Sequence, residues 1–275
     1  TTRYGGALYF EHDCDNLVID KSSFANNSAT SGGAIQLYAD NNQGFSNVDI
    51  IYSNFTGNHV IATDSYGGAT LTLNRVNDLN VSYCNFKNNL ADNNGAVLLD
   101  RCSNILIENT NFTANRAGYS AGGLYIRNGA DNDRITISNS NFISNAAGDS
   151  SSDYTGGAIR CGGDGSGTLD IKNSVFNDNS AYRAGALSVN MYYNVNIDEC
   201  SFNGNNATNS RGVLWISITG KKMTLSKSNF TNNHANGQYG VLYHEVGESS
   251  TIDSCDFINN SANDGGAISV TNGHT

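Results

Sequence analysis

One phrase recurs nine times along this 275-residue chain and sets what it can fold into. Phenylalanine heads each copy, at Phe24, Phe55, Phe86, Phe112, Phe142, Phe176, Phe202, Phe230 and Phe257, and an asparagine follows three residues later every time, from Asn27 to Asn260. Two residues before each Phe stands Ser, Thr or Cys, and five residues before it Ile, Val or Leu. Alanine follows five residues after each Phe except at Val60, and about ten residues on comes a glycine-led run such as GGAIQL, GAVLL or GVLYH. The copies are 26 to 34 residues apart. Self-similarity at such a period is the mark of a repeat architecture in which one unit cannot bury its own apolar face.

The unit is built of strands. LVID, VDII, ILIEN, ITIS, LDIK and VNID are short, β-branched and bounded by Asn, Gly, Asp and Ser, whereas helical repeats need apolar residues at a period near 3.6 over ten or more positions. The reading is an all-β, right-handed parallel β-helix of about nine to ten coils, with three short strands per coil carrying the Ile/Val/Leu, the Phe and the post-glycine segment. Right-handedness is the default for parallel crossovers. Equivalent inward side chains then stack about 4.8 Å apart, making a rod roughly 45 Å long with a phenylalanine column inside. Asparagine, tolerant of left-handed backbone and able to stack its amides, suits a turn; glycine closes the corner before the next strand. Residues 1–275 form one solenoid domain, and because both ends stop after a last strand without a polar cap, the segment is expected to derive from a longer protein and to associate end to end.

Composition excludes several functions. A net charge of −10 argues against nucleic acid or an anionic membrane as partner. No run of 18 apolar residues exists to insert in a bilayer. The absence of proline suits strands hydrogen-bonded on both sides. Of the six cysteines, Cys84, Cys200 and Cys255 share the slot two before Phe in distant coils, and Cys14 and Cys102 share another three coils apart, roughly 14 Å, too far for a disulfide. All six are expected as small thiols.

The paired motifs FxxN, present nine times, and GGAI, intact at Gly32–Ile35, Gly156–Ile159 and Gly265–Ile268, resemble the repeats of the chlamydial polymorphic membrane proteins; the same pair recurs in adhesin-like surface proteins of methanogenic archaea. The β-barrel typical of the chlamydial proteins is absent from this chain. The resemblance implies an extracellular, cell-surface adhesin-like domain that attaches to a host cell, a neighbouring cell's surface protein or a glycan.

β-Helix enzymes such as pectin lyases set carboxylates from adjacent coils on one outer face, and the outward positions of the post-glycine strand form such a face here. That stripe reads Tyr9, Gln36, Thr70 or Thr72, Leu98, Tyr125, Arg160, Ser188, Trp215, Tyr243 and Ser269, without a carboxylate. Glycoside hydrolysis needs two acids about 5–10 Å apart. The acids lie instead at Asp131, Asp133, Asp149, Asp153, Asp164, Asp198, Glu199, Asp253 and Asp256 and read as solvated turn residues. His59 and His234 read as surface, and His244–Glu245 as an isolated pair. GGDGSG at 162–167 reads as a flexible loop lacking the tandem repetition of calcium-binding turns. No catalytic residue, metal site or cofactor is expected. Tyr9, Tyr125, Trp215 and Tyr243 make the candidate ligand-binding stripe, either an exposed aromatic face for sugars or partner surfaces, or hydrophobes under a corner loop. Seven Asn-x-Ser/Thr sequons occur, at Asn26, Asn54, Asn80, Asn111, Asn206, Asn229 and Asn259; alternation points Asn54, Asn111 and Asn229 outward as candidate glycosylation sites. The alternatives to adhesion are a pectin lyase-like, carbohydrate-active enzyme and a passive spacer.

Overall fold

The nine phenylalanines stack ring on ring. In the structure, a computed structural model that describes residues 2–12, 14–39, 44–61, 68–127, 133–148, 155–218, 220–246 and 248–272, neighbouring rings from Phe24 to Phe257 sit with centroids 4.6–5.0 Å apart and planes within 13° of parallel. The seven central rings are fully buried. The strands of the described residues pair in parallel, and the phenylalanine strands stay in register, Phe on Phe and Asn54 on Asn85 on Asn111 on Asn141. The chain is therefore an all-β parallel solenoid, and its described residues contain no helix. Nine stacked levels give about eight full turns.

Most levels hold four strand segments, one more than the sequence reading assigned; at the Phe142 level the third is a single bridged residue, Ala146. At the fourth level they are Ser103–Glu108, Asn111–Thr113, Arg116–Ala117 and Leu124–Arg127. The first and last lie in one seventeen-stranded sheet, the second in the nine-stranded phenylalanine sheet, and the third in a five-stranded sheet of two- to four-residue strands. The extra strand is the alanine segment. Read as a corner, it pairs Ala91 with Ala117 and Ala207 with Ala235. In two levels the long-sheet segments fuse, as Ile159–Lys172 and Leu187–Asp198. The GGDGSG segment falls inside the first of these. It is strand, with a register shift between Gly162 and Ser166, rather than a flexible loop.

Two left-handed residues bracket every phenylalanine strand. Three residues before Phe, positive φ recurs in all nine copies, among them Tyr52 (51°), Tyr83 (56°) and Lys227 (46°); two residues after Phe it recurs at nine more, among them Asn26, Gly57 and Asn232. The asparagine three after Phe, expected as the left-handed turn residue, is its neighbour instead. Its work is hydrogen bonding. In the central levels the backbone N–H and one side-chain N–H of each asparagine donate to the Oδ1 of the next level's asparagine, at 2.9–3.1 Å for Asn115 to Asn145 and Asn145 to Asn179. The second side-chain N–H reaches back to a phenylalanine carbonyl, Asn145 to Phe112 at 2.9 Å. Every polar atom of these buried amides is used, the condition for burying them without penalty.

A second ladder runs through the slot two before Phe. Ser140 Oγ donates to the Ser138 carbonyl and accepts the Thr110 amide, and Cys84 Sγ turns to the Ser82 carbonyl in the same way. All six cysteines are free thiols; Cys84, Cys102, Cys161 and Cys200 are buried, Cys14 and Cys255 partly so. Burial pushes the Cys84 thiol up to about 11 and those of Cys102, Cys161 and Cys200 to about 12.

Candidate binding surface

The outward stripe of the post-glycine strand is continuous in register: Tyr9 beside Gln36, then Thr72, Leu98, Tyr125, Arg160, Ser188, Trp215, Tyr243 and Ser269. Thr72 is thus the stripe residue of its level. Of the two readings of the stripe, the exposed face holds only for Tyr9, which is 37% exposed and stacks on Tyr4 at 5.4 Å. Tyr125 (9%), Trp215 (9%) and Tyr243 (4%) are covered.

Tyr125 lies under Arg160 of the next coil, whose guanidinium is 5.0 Å from its ring centroid; the cover of Trp215 and Tyr243 comes from the turn four residues upstream. There the backbone takes positive φ at Gly5, Gly32, Ala121, Gly156, Ala184, Arg211, Tyr239 and Gly265. In that conformation a Cβ points onto the stripe. A Cβ built on Gly32 would lie 2.6 Å from the Gln36 Cβ, and one on Gly156 3.1 Å from the Arg160 Cβ. Glycine and alanine keep the corner bare. Arg211 (φ 70°) and Tyr239 (φ 81°), in consecutive coils, fill it. The Arg211 guanidinium lies 3.9 Å over the Trp215 ring centroid, and the Tyr239 ring stacks 4.0 Å from Tyr243. Left-handed backbone costs a non-glycine residue about 1–2 kcal/mol, so two bulky side chains are held here against local preference.

Polar groups ring these two layers. Tyr243 Oη donates to Glu245 Oε1 at 2.6 Å. Burial, reinforced by Glu245, pushes the Tyr243 phenol up to about 12. Burial also raises the Glu245 carboxyl, but Ser217, Tyr243, the Arg211 cation and Trp215 together outweigh it and hold it below the usual range. Burial first, and then the neighbouring Arg183 cation, lower the Arg211 guanidinium. The layered pair offers a planar cation, a flat ring and a carboxylate in adjoining positions, the donor and acceptor set that recognises polar ring-shaped or planar ligands.

The remaining sequence candidates divide. His244 is buried, with Nδ1 3.0 Å from the Ile216 carbonyl and Nε2 2.6 Å from Ser250 Oγ, and burial lowers its pKa; it and Glu245 alternate to opposite faces. Asp133, read as a solvated turn acid, is buried: it accepts the Asn104 and Arg134 amides, each at 2.7 Å, and the Tyr193 hydroxyl at 3.2 Å, while burial pushes its carboxyl up. Asp198 accepts Ser226 Oγ at 2.7 Å and Glu199 pairs with Lys227, both as links between coils. Asp131, Asp149 and Asp153 lie outside the described residues. Among the described residues no group of three or more His, Cys, Asp or Glu is placed to hold a metal. Asn54 and Asn229 are exposed and Asn111 is half-buried. Two residues missed by the sequence reading are Tyr52 and Tyr83, 49% and 47% exposed and stacked at 4.8 Å; their shared slot three before Phe was the available signal.

Fold and surface together define a parallel β-solenoid repeat protein with a continuous outer stripe and no carboxylate pair on it. Two copies of the repeat, residues 21–38 and 254–271, match the Chlamydia polymorphic membrane protein (Chlamydia_PMP) repeat. That match points to a surface-associated, adhesin-like protein. Neither a curated protein nor a solved structure matches the chain.

Proposed function

We propose that the chain is an extracellular adhesion module of a cell-surface protein, and that Arg211, Tyr239 and Glu245, layered over and beside the covered rings of Trp215 and Tyr243, contact its partner, a surface glycan or protein. The observation that carries this reading is the exchange of glycine or alanine for arginine and tyrosine at two consecutive left-handed corners. Those exchanges set a guanidinium and a phenol ring over Trp215 and Tyr243, where the other left-handed corners carry only glycine or alanine.

The test uses Arg211→Gly and Tyr239→Gly, each restoring the residue found at Gly5, Gly32, Gly156 and Gly265. Wild-type chain is screened on a glycan array and on intact cells, and both variants are screened beside it with their melting temperatures. Binding by wild type that both variants lose while remaining folded is expected. Binding that survives both changes removes the patch from the function, and a wild type that binds no cell, glycan or protein leaves the rod as a spacer.

A further inference from the structure

Of the seven sequons, six have one of their two reacting groups engaged or misplaced by the solenoid. Asn26 and Asn259 are left-handed corner residues, φ 56° and 53°, so each is separated by the turn from its serine on the short strand. Asn80 donates to Asp49 Oδ1 at 2.8 Å and accepts the Ser82 hydroxyl of its own sequon. Asn111 is locked on both sides, donating to Asn85 at 2.9 Å and accepting from Asn141 at 2.8 Å. At Asn206 the partner hydroxyl, Thr208 Oγ1, is buried. At Asn229 the partner Thr231 hydroxyl donates to Asn203 Oδ1 at 2.9 Å.

Asn54 differs. It lies on the strand Asn54–Thr56, where residues two apart share a face, and both Asn54 and Thr56 are exposed. Its Oδ1 accepts Asn85 Nδ2 at 2.9 Å, while its own Nδ2 meets no acceptor among the described residues, and the Thr56 hydroxyl is equally without one. The residue beside it in the preceding coil is Ser23, which is small. We infer that Asn54 is the N-glycosylation site of the folded chain, with Thr56 as the hydroxyl read by the transferase. This goes beyond the adhesive patch, since it lies on the phenylalanine sheet. The saccharide comes from a polyprenyl-phosphate-linked donor. The C1–O bond to the lipid phosphate breaks, Asn54 Nδ2 forms the bond to C1 and gives one proton to a base of the transferase, and the lipid phosphate leaves with no change of oxidation state. The product keeps one N–H on Nδ2 and the Oδ1 that Asn85 uses, so the amide ladder persists.

The experiment incubates the full folded chain with an N-oligosaccharyltransferase and its polyprenyl-phosphate-linked oligosaccharide, and maps glycopeptides by mass beside urea-unfolded chain. A single glycan at Asn54 is expected on the folded chain, against several sites on the unfolded one. Thr56→Ala should remove it and Thr56→Ser keep it. Equal modification of Asn111 or Asn229 in the folded chain, or an unmodified Asn54, overturns the assignment.

Discussion

Replacing Asn145 by alanine tests whether the asparagine ladder, rather than the phenylalanine column alone, holds the coils in register. The change leaves two buried donors, the Asn115 backbone N–H and one Asn115 side-chain N–H, without the Oδ1 they share. It also removes the bonds that Asn145 Nδ2 donates to the Phe112 carbonyl and to Asn179. Asn179 Oδ1 keeps the Asn145 backbone donor. Two orphaned donors at about 1–3 kcal/mol each, and two lost bonds at about 1 kcal/mol each, sum to about 6 kcal/mol. For a chain of this size that corresponds to a drop of about 10–20 °C in melting temperature. Asn260→Ala is the control. Asn260 also accepts two bonds, from Asn233, but lies half-buried where water replaces them, so about 1–2 kcal/mol is expected. Urea unfolding followed by circular dichroism and by fluorescence measures both. If Asn145→Ala falls within about 1 kcal/mol of wild type, or matches Asn260→Ala, the ladder is not what holds the coils in register.

Four further outcomes follow from the structure. Phe142→Ala, in the fully buried centre of the column, should cost about 3–5 kcal/mol, and Phe257→Ala at the half-buried end clearly less, read by the same denaturation. Tyr52→Asn and Tyr83→Asn should leave stability unchanged or raise it by about 1 kcal/mol, because the left-handed slot they fill already holds Asn109, Asn139 and Asn173 elsewhere. In a thiol titration all six cysteines should react after unfolding without reductant, whereas in the folded chain Cys14 and Cys255 react first. The buried thiols also set a pH dependence: their folded values of about 11 to 12 exceed the ordinary 9.0, so the folded state holds these protons more tightly. Their contribution is complete below pH 9.0 and is lost as pH rises toward 12, so melting temperature should fall across that window and fall less in Cys102→Ala.

Periodicity alone determined the solenoid, the inward column, the parallel register and the outward stripe down to the order Tyr125, Arg160, Ser188, Trp215, Tyr243. A residue whose equivalent lies directly above it in every coil has its environment fixed by the repeat, and the repeat is written in the sequence. What only the tertiary structure decided are the places where the chain bends. The alanine segment became a strand because its neighbours supplied hydrogen bonds that a lone corner lacks. GGDGSG was drawn into a long strand by the partner on each side, and Asp133 was buried under Tyr193 from two coils away. The covering of Trp215 and Tyr243 hangs on a left-handed turn that aims the next side chain back across the strand. A backbone angle of that kind leaves no mark in hydrophobic periodicity, so only the fold singles out Arg211 and Tyr239 by placing them over the rings.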